Sequence, residues 1–188
     1  MAVSVKSQGN LKKLAEQVKR QTASRVKIGV FDRKVATYAT YVEYGWVQRV
    51  TSKQQWFFRG KGLTHPPKQG GSLVMPPRPF LHGTLRAEGK KWNQILAKTF
   101  AKTRNAELAL KTVGQIATED VQTTIRQGGT SKEQFDKRAP MTKELYAREA
   151  KGKTGKKGKN RASAATATSD KPLNLSGALL HSISFSVE

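Results

Sequence analysis

The chain has no cysteine and only three histidines in 188 residues, and these shortages exclude whole classes of chemistry. Without thiols there is no disulfide framework, no thiolate metal site and no cysteine nucleophile. His65, His82 and His181 stand far apart, outside any HxH or HExxH spacing, so each reads as a satisfied surface or turn residue. Apolar residues make up 36% and aromatics 7%, enough for a modest core only. The polar excess implies that part of the chain orders only against a partner. No run approaches about 18 consecutive apolar residues, so no membrane-spanning helix is expected. The start, Met1-Ala2-Val3-Ser4-Val5-Lys6, shows no apolar signal-peptide core. With the missing cysteine, this fits a protein made in a reducing cytoplasm.

Acid is also scarce. Thirteen Asp and Glu face 35 Lys and Arg, a formal charge of +22. Such an excess predicts salt-sensitive adsorption to nucleic acid through counterion release, or docking onto acidic proteins; charge alone does not choose between them. The catalytic signatures fail on spacing. Gly152-Lys153-Thr154 resembles the end of a phosphate loop, but Ala147 stands where the first glycine is required. No Gly-x-Ser-x-Gly elbow exists. Glu119-Asp120 falls on adjacent helix positions that point apart, which suits ion pairing better than acid–base work. No catalytic, cofactor-binding or metal residue is assigned, and the chain is not expected to be an enzyme. Glu43 stands out, because a carboxylate within Tyr41-Val42-Glu43-Tyr44-Gly45 needs a defined donor. Either an intramolecular Arg or Lys or an inter-subunit salt bridge would supply it.

Periodicity supplies the elements. Asn10 caps a predicted amphipathic helix on Leu11, Leu14, Ala15 and Val18. Val26, Ile28 and Val30 alternate as a half-buried strand. Ala36–Gly45 reads as a short helix stopped by its glycine. Trp46–Val50 and Gln55–Phe58, around Thr51-Ser52-Lys53-Gln54, read as a hairpin, followed by a Gly/Pro-rich turn region. Residues 46–75 are thus expected to form a projecting arm. Trp56, Phe57 and Phe58 cannot all point inward from one strand, so at least one ring is expected to meet another subunit or a covering loop. Beside Arg49, Lys53, Arg59 and Lys61 these rings also suit base stacking.

Long helices are predicted over roughly 81–102 and 105–127, ended by Gly128-Gly129, with a short one at 141–150. Residues 151–171 are a low-complexity basic stretch, read as a flexible loop. Its Lys151, Lys153, Lys156, Lys157, Lys159 and Arg161 are candidates for contact with DNA or an acidic partner. Ile183, Phe185 and Val187 form a closing strand. The whole predicts one α+β domain over 1–188. In it a small antiparallel or mixed sheet packs against two long helices.

Four segments carry a resemblance: Val26-Lys27-Ile28-Gly29-Val30; Tyr38-Ala39 leading to Glu43-Tyr44-Gly45; Pro76-Pro77-Arg78-Pro79-Phe80-Leu81 entering a long helix; and Pro172-Leu173-Asn174-Leu175-Ser176-Gly177-Ala178-Leu179 before Ser182-Ile183-Ser184. In this order they resemble the neck and tail-completion proteins of tailed bacteriophages, the head–tail connector or minor tail component group related to the Mu-like virion-morphogenesis protein G. Trp46 stands where that group commonly has threonine, and the 46–75 connection is longer than usual. The resemblance implies a structural virion protein, made in the host cytoplasm, that forms a six- or twelve-fold ring at the head–tail junction. It implies other neck, connector and tail-tube proteins as partners, with packaged DNA a candidate contact and neither membrane nor small molecule involved. Glu43, Trp56, Phe57, Phe58, Arg78 and Phe80 become candidates for inter-subunit or partner contacts. A free basic nucleic-acid-binding protein is the alternative.

Overall fold

The computed structural model describes residues 24–151, 170 and 177–188. The expected helix at Leu11–Val18, the basic stretch 152–169 and Pro172–Ser176 lie outside them. The fold is α+β, in the order β1 (Val26–Val30), α1 (Arg33–Tyr44), β2 (Trp46–Arg49), α2 (Ser52–Gly60), β3 (Ser72–Met75), α3 (Phe80–Thr103), α4 (Ala106–Gln127), α5 (Pro140–Lys151), α6 (Ala178–Ser182) and β4 (Ile183–Val187).

The centre is α4. Ala109, Leu110, Val113, Gly114, Ala117, Val121, Thr124 and Ile125 are buried, a three-and-four spacing that makes one continuous stripe. Asn105 starts the helix by accepting from the Leu108 N–H at 3.0 Å, and Gly128 ends it in the left-handed region at φ 81°. One side of the stripe meets α3, which runs back antiparallel through the turn at Arg104. The other meets the sheet of β1 and β4. There Val26 lies opposite Val187, Ile28 opposite Phe185 and Val30 opposite Ile183, so both alternating patterns put their apolar residues on one face. A Cβ on Gly114 would sit less than 3.0 Å from three atoms of the Phe185 ring; only glycine lets the strand lie this close to the helix.

Two apolar clusters share α4. Trp92, Val113 and Ala117 form one, with Ile28 and Ile95 against it; Ala39, Val42, Phe80, Val121, Ile125, Phe135, Leu179 and Ile183 form the other. Phe80 is wholly buried in the second. Beside it, Thr84 donates its hydroxyl to the Phe80 carbonyl at 2.6 Å and lies 2.8 Å from the Thr124 hydroxyl, so the one polar contact in this wall is satisfied internally.

The strands form two separate two-stranded antiparallel sheets, β1–β4 against the long helices and β2–β3 in the arm. One expectation is corrected: Gln55–Phe58 is helical, and the partner of β2 is β3, with Trp46 opposite Met75 and Val47 opposite Val74. The cause is local. Thr51 and Gln54 form a reciprocal capping box, the Gln54 N–H donating to the Thr51 hydroxyl at 3.3 Å and the Thr51 N–H to the Gln54 side chain at 3.0 Å. That start overrides the strand preference of Trp56-Phe57-Phe58. Residues 46–75 are therefore an antiparallel ribbon with a helix inserted in its loop.

Replacing Phe80 by Ala empties part of the larger cluster and should cost about 3–5 kcal/mol. Urea unfolding of the two proteins measures it, and a difference near zero would mean that the ring is not held in the core.

Candidate interaction site

The entry to α3 poses a hydrogen-bonding problem that the sequence cannot solve locally. Proline 79 occupies the N-cap position and provides no side-chain acceptor, yet the first N–H groups of the helix need partners. Glu43, at the end of α1 and buried, supplies them. Its carboxylate accepts from the Leu81 N–H and the His82 N–H, each at 3.0 Å, and lies 2.8 Å from His82 Nδ1. The Phe80 N–H turns back to the Arg78 carbonyl at 2.8 Å, and the Gly83 N–H bonds the Pro79 carbonyl at 2.9 Å. A negative charge is also favoured at this end of a helix.

The same junction is tied from behind. The Arg78 N–H donates to the Val42 carbonyl at 2.9 Å. Gly45, at φ 71°, passes so near Pro76-Pro77 that a Cβ would lie 2.6 Å from the Met75 carbonyl oxygen. Glu43-Tyr44-Gly45 and Pro76–Leu81, separate motifs in the sequence, are thus two halves of one joint. Within this chain the donors to Glu43 are a helix terminus and His82 rather than an Arg or Lys. His82 is correspondingly not a solitary histidine, although its ring stays half exposed.

The remaining candidates divide cleanly. Arg78 and Phe80, proposed as partner contacts, are buried within this chain, so neither is a surface anchor in this conformation. Trp56 and Phe57 do face outward, 70% and 53% exposed, while Phe58 is half-buried and meets Phe57 edge-on at 5.3 Å. No residue of α2 is buried. Val47 and Val74, paired across the ribbon, are exposed as well, and the Lys61 ammonium sits 5.4 Å from the Phe57 ring centre. No acidic residue stands between Glu43 and Glu88. A second aromatic row, Tyr38, Tyr41 and Tyr44, is exposed on α1. Of the basic-stretch candidates only Lys151 falls among the described residues.

The arm is moored to α5 at one point. The Glu144 carboxylate accepts from the Thr64 hydroxyl at 2.7 Å and the Thr64 N–H at 2.9 Å, and from Arg148 at 2.8 Å. The hydrogen bonds from Thr64, then those from Arg148, hold its pKa down at about 2. Elsewhere Asp120 joins Lys91 at 3.0 Å and the Trp92 indole N–H at 2.8 Å, the ion pairing expected of the Glu119-Asp120 step. A broad depression lies between Arg104-Asn105 and the end of β4, but Glu107 there is paired with Lys111 and Glu188 with Lys27. Among the described residues no three His, Asp or Glu gather as a metal site, and no helix is long and apolar enough to cross a membrane.

Comparison with protein-family models, with curated proteins and with solved structures returns no match for this chain.

Glu43→Ala should destabilise the fold by about 2 kcal/mol, because two N–H groups at the helix start lose a charged acceptor; equal urea midpoints for variant and parent would remove Glu43 from this role. The Thr64–Glu144 mooring has a definite pH dependence. Since folding lowers the carboxyl pKa, its contribution is complete above the unfolded value near 4.5 and is lost as pH falls from there through about 2. In an NMR titration the Thr64 amide should move with a midpoint near 2 rather than 4.5, and Glu144→Ala should abolish the transition.

Proposed function

We propose that this chain is a structural virion protein of a tailed bacteriophage, forming a ring at the head–tail junction that joins or completes the tail. Three features support the reading. The motifs of the resemblance occur in order, and those within the described residues are joined in the fold: β1 pairs with β4, Glu43 caps the helix entered through Pro76–Leu81, and Leu179 shares a core cluster with Phe80. The chemistry on the surface is that of contact, with exposed rings and cations. The observation that carries the proposal is α2, a nine-residue helix with no buried side chain, presenting Trp56 and Phe57 to solvent. A helix this short gains little from propensity alone, and Trp is the residue type most enriched at binding hot spots. In a ring, a heterologous contact sets this face against a different face of the next copy. The basic stretch at 151–171 then acts as a further clasp, and the role is non-catalytic.

A second reading, a free nucleic-acid-binding protein, is favoured by one observation: the long acid-free segment from Tyr44 to Ala87 in a chain of charge +22. It requires tight binding by the isolated monomer with a steep fall in affinity as salt rises.

Light scattering and negative-stain microscopy of the purified chain, alone and with neighbouring neck and tail proteins, test the first reading. The parent should assemble into rings, whereas Trp56→Ala/Phe57→Ala should remain a folded monomer with the same urea midpoint. A parent chain that stays monomeric under all these conditions and binds single-stranded oligonucleotides with a steep salt slope overturns it in favour of the second.

A further inference from the structure

Arg78 is a buried cation whose guanidinium lacks a full set of acceptors. It is 7% exposed, and its Nε is buried without a hydrogen-bond partner. Its backbone cannot swing the side chain elsewhere. Pro77 and Pro79 flank it, its N–H is held by the Val42 carbonyl, and its carbonyl accepts from the Phe80 N–H. Buried guanidinium groups are ordinarily paired, because an uncompensated charge in the interior is costly. Among the described residues the carboxylate that acts on it is that of Asp136, which is itself exposed to solvent.

The surroundings are those of a receptor for an anion. Tyr38, one turn before Val42 on α1, Tyr146 of α5 and a second buried arginine, Arg138, all lie near enough to act on its charge. The Arg138 guanidinium stacks over the Tyr146 ring at 5.4 Å. Burial lowers the Arg78 pKa and raises that of Tyr38, so the phenol is retained as an O–H donor. Two cations and two phenols thus lie in one neighbourhood, of which Tyr38 is the half-exposed member.

We propose that Arg78, backed by Arg138, Tyr38 and Tyr146, forms a binding site for a carboxylate presented by a partner protein. A carboxylate matches the side-on edge of a guanidinium, taking one bond from Nε and one from a terminal nitrogen. With Arg78 and Arg138 exposed by less than a tenth, only a slender group such as an Asp or Glu side chain is small enough to be taken in, whereas a phosphate within a polymer backbone brings bulky neighbours on both sides. The site stands on this geometry and does not require a ring: any partner with a protruding acidic side chain satisfies it.

Sodium acetate, with sodium chloride at equal ionic strength as the control and inorganic phosphate as the competing chemistry, is the probe at pH 7. Acetate should move the Arg78 Nε–H resonance saturably and raise the melting temperature by about 2–4 °C. Arg78→Gln and Arg78→Lys should both lose the response, the lysine because it keeps the charge without the fork. The Arg78 resonance of the parent protein keeps the test decisive even if the variants fold poorly. A response to phosphate but not acetate would overturn the carboxylate assignment. So would an acetate effect equal to that of chloride, or an Arg78→Met variant that melts higher than the parent and leaves the acetate shift intact, which would make Arg78 merely a costly buried charge.

Discussion

Two backbone N–H groups at the start of α3 and the carboxylate of Glu43 form the contact on which the rest of this fold is arranged. A helix entered through Pro79 has no side-chain cap of its own, and Glu43 reaches it from the end of another helix. The contact sets where α3 begins relative to α1, and so places Phe80 against Val42 and the lower half of α4. With α3 located, its antiparallel partner α4 follows through a tight turn, and α4 in turn carries the β1–β4 sheet. A buried charge satisfied by a helix terminus does this more specifically than apolar packing, since a shift of one residue would leave N–H groups unpaired.

Around that joint the chain divides into a body with a continuous apolar core and an arm that buries little. The body buries a continuous stripe of α4 between α3 and the sheet, with matched faces in the strands. The β2–α2–β3 arm buries Val50 and Leu63 but leaves Trp56, Phe57, Val47 and Val74 in solvent. Its helix is held by a capping box and by the strands it connects. Such a unit is suited to contact, and its all-basic composition restricts the partner to a surface without dense positive charge.

Much of the body was legible from residue spacing. The stripes of α3 and α4, the alternation of Val26–Val30 against Ile183–Val187, and Gly45 and Gly128 as stops all follow from local periodicity and backbone freedom. The arm was misread because Gln55-Trp56-Phe57-Phe58 has the composition of a strand. The correcting signal stands immediately before it: Thr51-Ser52-Lys53-Gln54 has the Thr-x-x-Gln spacing of a capping box. The true partner of β2 went unforeseen because pairing between Trp46 and Met75 spans the whole arm, and nothing in either strand names the other.

The sequence by itself determined the helices, the closing strand and the shortage of acid, because these depend on residues within a turn or two of each other. Only the tertiary structure decided that Glu43 is a cap, that Phe80 is core and that Arg78 is an interior cation short of an acceptor. Each of those outcomes depends on a partner tens of residues away, brought near by the crossing of α1 with the proline-rich entry to α3. A carboxylate or guanidinium looks the same in the sequence whether it ends in water or against a helix terminus; its neighbours in space set its role.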